Sequence, residues 1–120
     1  MAWSAMMIDL TGKRCVIVGG GAVAVRRASS LREAGGEVIV IAPTLDERLA
    51  DLDCELRRRP YRADDLDDAW MVVIATDDAA VNDAVAEEAS RRGVMVNRAD
   101  DPQRGDVVIP AVGRADPVTL

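Results

Sequence analysis

The chain has 120 residues, 49% hydrophobic and 30% charged, a balance that makes one folded domain and excludes a disordered chain. Its net charge of −6 argues against a nucleic-acid or anionic-membrane partner, and no apolar run approaches the roughly 18 residues that span a bilayer. It contains no histidine, which excludes a His-ligated metal site and a His-based catalytic triad.

Residues 1–9 lack the basic start and apolar core of a secretory signal. Met6-Met7-Ile8-Asp9-Leu10 reads as a short lead-in, and Thr11-Gly12-Lys13 as a turn. Trp3, beside Met6 and Met7, fits two placements, under a sheet edge or against a partner. The apolar run Cys15-Val16-Ile17-Val18 is the first predicted strand, and Gly19-Gly20-Gly21-Ala22-Val23-Ala24 follows it directly. A buried strand that turns on glycines into a helix is the dinucleotide-binding arrangement. In it Gly19 makes the tight turn, and Gly21, without a Cβ, lets a pyrophosphate approach the backbone. Ala24 keeps the helix close to the sheet. The same pattern is also compatible with a tight turn that holds no ligand.

The helix is expected over residues 22–34, with Ala24, Ala28 and Leu31 on its inner face and Gly35-Gly36 ending it. Glu37-Val38-Ile39-Val40-Ile41-Ala42 is the second predicted strand, stopped by Pro43. Its end carries no Asp or Glu of the kind that usually holds the ribose hydroxyls and rejects the extra phosphate of NADP. Thr44-Leu45-Asp46-Glu47 has the form of a capping box, predicting a helix to about residue 52. Cys54-Glu55-Leu56-Arg57-Arg58 reads as a third strand near a sheet edge, with Cys15 and Cys54 expected as buried thiols in a reducing cytoplasm. Arg57, Arg58, Arg59 and Arg62 read first as a solvated charged face, and residues 63–68 as an acidic turn.

Trp70-Met71-Val72-Val73-Ile74-Ala75 is a strand of the doubly covered, parallel kind, and Thr76-Asp77-Asp78 follows at its carboxyl end, on the side where such sheets bind ligands. Asp77 and Asp78 suit both ligand contact and capping of the next helix, expected over residues 79–92 with Val81, Ala84, Val85 and Ala89 inside. Val94-Met95-Val96-Asn97 is a fifth strand, followed by the loop Arg98-Ala99-Asp100-Asp101-Pro102. Val107-Val108-Ile109-Pro110 reads as a sixth. Six strands with helical connections predict a single α/β domain, a doubly wound, mostly parallel Rossmann-type sheet.

Together these pieces resemble the amino-terminal domain of the siroheme-synthase family, the precorrin-2 dehydrogenases and their bifunctional dehydrogenase/ferrochelatase relatives. The residues that carry the resemblance are Asp9-Leu10-Thr11-Gly12, Val18-Gly19-Gly20-Gly21 with Val23-Ala24 and Arg26-Arg27-Ala28, and Ala42-Pro43. Arg58-Arg59-Pro60-Tyr61, Ala75-Thr76-Asp77-Asp78 with Asn82, Val96-Asn97 with Asp100 and Pro102, and Ile109-Pro110-Ala111 complete it, so that it covers essentially all 120 residues. This family also lacks the acidic residue on the second strand. Arg27 stands where its members usually carry Lys. Members continue past the position of Leu120 with a further strand, a glycine-serine segment and a helical dimerisation region, none of it in this chain.

The resemblance implies oxidation of precorrin-2 to sirohydrochlorin with NAD as hydride acceptor, in the cytoplasm and in a homodimeric family. It implies cofactor contacts from Gly19, Gly20, Gly21, Ala22, Val23, Ile41, Ala42 and Pro43, with Thr76 and Asp77 near the nicotinamide half. Asp100 matches the catalytic aspartate, with Asn97 near the tetrapyrrole substrate. In relatives that insert ferrous iron as a second substrate the same carboxylate is implicated, with no fixed metal site. A polycarboxylate substrate calls for arginines, and Arg98, Arg104 and Arg114 are the candidates, with the Arg57–Arg62 group a second choice. The alternative reading is a regulatory domain that senses NAD and catalyses nothing.

Overall fold

In the computed structural model, which describes residues 2–110, the apolar runs form five parallel strands. They are β1 (Arg14–Val18), β2 (Glu37–Ala42), β3 (Glu55–Arg58), β4 (Met71–Ile74) and β5 (Met95–Arg98). Helix α1 (Ala22–Glu33) connects β1 to β2, and helix α2 (Ala79–Arg92) connects β4 to β5. Short 3-10 helices at Glu47–Asp51, Ala63–Leu66 and Pro102–Arg104 make up the rest of the regular structure.

Successive strand residues point to opposite faces of a sheet, so a continuous apolar run feeds two cores at once. Cys15, Ile17, Val38, Val40, Met71 and Val73 pack with Ala24, Ala28 and Leu31 of α1. Val16, Val18, Ile39, Ile41, Val72 and Ile74 pack with Val85 and Ala89 of α2. Burial pushes the Cys15 thiol up to about 11, so it stays protonated and inert at neutral pH. Trp3, Met6, Met7 and Ile8 stay exposed, whereas Leu10 reaches the α1-side core.

The strand order is β3-β2-β1-β4-β5. From β1 the chain steps outward to β2 and β3, then returns to the other side of β1 for β4. That reversal opens a crevice at the carboxyl ends of β1 and β4, the usual ligand position in an open α/β sheet. Val18 pairs with both Ile41 and Ile74, and Ile74 pairs with Arg98, so four strands end level. The loops that leave them converge on one edge.

Three expectations are corrected. The sheet has five strands among the described residues, not six. Asp106 and Val107 both donate their amides to the single carbonyl of Val96, and the Val96 amide is taken by the Asp106 carboxylate. With that donor spent on a side chain, the 107–110 segment lies against β5 without forming a ladder. The helix expected to about residue 52 forms as a 3-10 helix with a different cap. Thr44 does not cap; Asp46 does, accepting from Arg48 N at 2.9 Å, and only the 3-10 helix Glu47–Asp51 follows. The Asp46 amide meanwhile donates to the Gly20 carbonyl at 2.7 Å, which ties this connection to the glycine turn. In α2 the buried stripe is Asn82, Val85 and Ala89; of the other residues expected inside, Val81 is only half-buried and Ala84 is exposed.

Candidate functional site

The glycine turn is wedged between two other loops. Gly19 has a φ of +138°, and a Cβ there would run into the Ala75 carbonyl at the end of β4. A Cβ on Gly20 would run into the Thr44 carbonyl after β2. Gly21 is different: no atom of the chain lies within 4 Å of its would-be Cβ. It is the N-cap of α1, and no side chain caps that helix. The first amides of α1 therefore point, without a side-chain acceptor, toward open space at the positive end of the helix dipole, an arrangement that fits a phosphate.

A cavity of about 570 Å³ opens at this point. Gly19, Gly20, Gly21, Ala22 and Val23 form its floor, Ile41, Ala42 and Pro43 one wall, and Thr76 and Asp77 another. All ten positions named from the sequence for cofactor contact thus line a single cavity. Thr44, Pro60, Tyr61 and Val81 line it too and were not named for it. The acidic pair after β4 serves both the cavity and the next helix. Both line the cavity, and Asp78 also caps α2, accepting from the Ala80 and Val81 amides.

Beside the wall at β2, Arg48 is committed to Asp46 through two bonds, Nε at 3.0 Å and Nη2 at 2.8 Å. Arg48 and its own backbone amide together hold the Asp46 carboxyl down to about 2. On the far wall, Pro60 and Tyr61 are carried by a loop anchored on Asp65, which is 1% exposed. Its carboxylate accepts from Arg57 Nη1 at 3.0 Å, Arg59 Nη1 at 2.9 Å and the Arg62 amide at 2.8 Å. The arginine run expected as a solvated face is therefore partly turned inward, and two of its members are spent on a buried acid.

Burial raises the Asp65 carboxyl, but Arg59, the Arg62 amide and Arg57 outweigh it and leave it below its ordinary value. A carboxylate depressed in the fold contributes stability above its unfolded pKa near 4, which is lost as pH falls through the folded value. Asp65→Asn is expected to cost about 3 kcal/mol at pH 7, since breaking a buried pair strands its cations. Urea unfolding is the measurement. The deficit should shrink between pH 5 and pH 2, and a deficit constant over that range would contradict the assignment.

The second feature of the site lies one strand further on. Asp100, two residues past β5, is 28% exposed at its side chain. Arg98 grips it at both oxygens, Nε to Oδ1 at 3.1 Å and Nη2 to Oδ2 at 2.8 Å, and also reaches Asp83 Oδ1 at 3.1 Å. This pairing holds the Asp100 carboxyl below the usual carboxylate range, against a smaller opposing effect of burial. Asn82 donates to Asp100 Oδ2 from α2 at 3.4 Å.

The other residues named for the substrate are placed differently. Arg98 is only 3% exposed and committed to two carboxylates, so it braces Asp100 instead of facing the cleft. Asn97 is buried too, and its Nδ2 donates to the Val107 carbonyl at 3.0 Å. Arg104 is exposed beside Asp83. Arg114 lies outside the described residues. Asn82 was quoted from the sequence only as part of the resemblance and given no place in the site; the signal for one was a polar residue on the apolar stripe of α2.

Comparison with known proteins agrees with the fold. Residues 6–111 match the family model NAD_binding_7, described as "Putative NAD(P)-binding". The chain is 35% identical over 124 aligned positions to a siroheme synthase from Nitrosococcus oceani, and 41% identical to one from Chromobacterium violaceum. Each alignment takes in 100% of this chain and 26% of the relative, so the chain spans about a quarter of the length of these relatives. Among solved structures, SirC, a precorrin-2 dehydrogenase, superposes with a TM-score of 0.78 at 29% identity, over 91% of this chain and 55% of that one. A D-lactate dehydrogenase from Escherichia coli, at 14% identity and a TM-score of 0.51, shares the fold alone. No described helix is long and apolar enough to cross a membrane.

Proposed function

This chain belongs to the NAD_binding_7 family of NAD(P)-binding domains, and from that premise we propose that it is the dinucleotide-binding part of a precorrin-2 dehydrogenase. The observation that carries the reading is the uncapped start of α1 at Gly21, open to the cavity, with the Asp100 carboxylate two strands along the same edge. The siroheme synthases and the precorrin-2 dehydrogenase that it resembles supply the substrate class, a tetrapyrrole carrying many carboxylates.

Gly21 and the first amides of α1 would hold the pyrophosphate of NAD, with the adenosine against Ile41, Ala42 and Pro43. Thr76 and Asp77 would face the nicotinamide half. Bound NAD would supply the hydride acceptor, while this chain orients the macrocycle and takes a proton. The oxidation removes one hydride and one proton. Asp100 receives the proton, and a weak base suffices, because loss of hydride leaves a cation whose neighbouring N–H or C–H is acidic. Arg98 keeps Asp100 ionised and in place. Arg104, exposed on the same edge, and Arg114 remain candidates for the substrate carboxylates. Insertion of ferrous iron, the second activity the resemblance implies, would use the same carboxylate for the displaced pyrrole protons. A homodimer is proposed on the resemblance alone.

The test is to supply precorrin-2 and NAD and follow sirohydrochlorin by its absorbance. Turnover by the protein carrying this domain supports the reading. NADH binding with no turnover under any condition would favour the NAD-sensing alternative.

Discrimination between the two nicotinamide dinucleotides is expected to be modest, with NAD preferred. The end of β2 presents Ile41, Ala42 and Pro43, so no carboxylate there repels a 2′-phosphate, and Arg48 is already paired to Asp46. Competition titration should give a ratio below about 100-fold, or about 2.7 kcal/mol. A larger ratio would show that another residue reads the ribose.

A further inference from the structure

Asn82 sits in the first turn of α2, is 2% exposed, and touches both halves of the site without lining the cavity itself. Its Oδ1 accepts from Thr76 Oγ1 at 2.5 Å, and its Nδ2 donates to the Thr76 carbonyl at 3.0 Å. The same Nδ2 donates to Asp100 Oδ2 at 3.4 Å. One acceptor and both amide hydrogens are thus assigned, which fixes which way the carboxamide points. An aspartate here would lose both donated bonds and set a second negative charge against Asp100. A leucine of the same size would lose all three bonds.

We propose that Asn82 is a positioning residue that couples the cofactor side of the cleft to Asp100, so that filling the cavity beside Thr76 is felt at the carboxylate. The proposal rests on the reading that the cavity holds a nicotinamide dinucleotide. Thr76 lines the cavity and Asp100 does not, and Asn82 hydrogen-bonds to both. The other partner of Asp100 is held still. Arg98 from β5 is anchored by Asp83 of α2, which also takes Arg104 from the Pro102–Arg104 helix at 3.5 Å, and Asp101 is the adjoining acid in the loop. With Arg98 fixed on one side, a displacement of the Thr76 loop passes to Asp100 through the Asn82 amide.

The experiment is carboxyl and amide NMR on the whole chain, titrated with NADH, for the parent and Asn82→Leu. The amide signals of Gly19 to Val23 report binding, and the Asp100 carboxyl carbon reports coupling. In the parent both sets should move together. In Asn82→Leu the glycine-turn signals should still move, while the Asp100 signal stays in place. Should the substitution unfold the chain, Thr76→Val removes the hydroxyl half of the same link, leaves the bond to the Thr76 carbonyl, and should shrink the Asp100 response. An Asp100 signal that moves equally in parent and variant, or that fails to move in the parent while the glycine turn responds, overturns the proposal. Glycine-turn signals that never respond in the parent overturn the dinucleotide reading itself. A third variant adds a readout that loosened packing would not give. Asn82→Asp should raise the Asp100 pKa by about one unit through like charge, and an unmoved pKa would show that the two side chains do not meet.

Discussion

In a protein long enough to have the proposed activity, since these 120 residues alone are expected to be a poor catalyst, Asp100→Asn should lower the turnover of precorrin-2 by about 10²–10⁴-fold, the range expected when a positioned acid–base group is removed. The amide is nearly the same shape and still offers Arg98 an acceptor oxygen, and Arg98 keeps its second partner, Asp83. The fold should therefore survive. NADH affinity should change less than about threefold, because the glycine turn lies after β1 and Asp100 after β5, with β4 between them. Asp101→Asn is the internal control, since its side chain makes no capping bond and its backbone carbonyl, which accepts from Arg104, is untouched. Steady-state rates and NADH titrations on the three proteins decide the matter. If Asp101→Asn loses activity and Asp100→Asn keeps it, the catalytic carboxylate has been misassigned. If both keep it, the loop is only a turn.

The features legible in the sequence are those set by local pattern. The spans of β2 and α2 follow from an apolar run stopped by Pro43 and from a helix bounded by Asp78 and Gly93, whose φ is +70°. The glycine turn was legible because a turn this tight, packed under the Ala75 and Thr44 carbonyls, leaves room for no other residue at Gly19 or Gly20. What composition and spacing did not show is where charges go once the chain closes. Asp65 looked like one acid in an acidic turn, yet it is buried because Arg57 and Arg59, on and just after an edge strand, fold back over it. Arg98 looked like a surface cation in a loop, but β5 runs one residue further than expected and points it inward at Asp83 and Asp100. The sixth strand failed for a related reason, since a side chain, Asp106, took the Val96 amide that a ladder would have used. Each of these depends on a partner distant in space or on a competing side-chain bond, which single-sequence periodicity does not carry.

If the uncapped start of α1 receives the pyrophosphate of a nicotinamide dinucleotide, as proposed, Gly21 is the residue whose substitution isolates that contact. Gly21 has an extended backbone, with a φ of −97°, and no chain atom lies where its Cβ would go. Gly21→Val therefore meets no clash within the protein and should leave thermal stability near that of the parent. It would instead put a branched side chain into the space over the α1 amides, where the phosphates must sit. Gly19 and Gly20 cannot serve this purpose, because any side chain there collides with the backbone and confounds binding with folding. The decisive measurement is an NADH fluorescence titration of the parent and of Gly21→Val, with melting curves of both. The parent is expected to bind weakly, with a Kd of about 10–1000 μM, since the end of β2 supplies no ribose anchor. The variant should melt with the parent yet bind at least about tenfold more weakly, a loss of about 1.4 kcal/mol. Equal affinity in two equally folded proteins would contradict the account and place the dinucleotide elsewhere, or nowhere, on this domain.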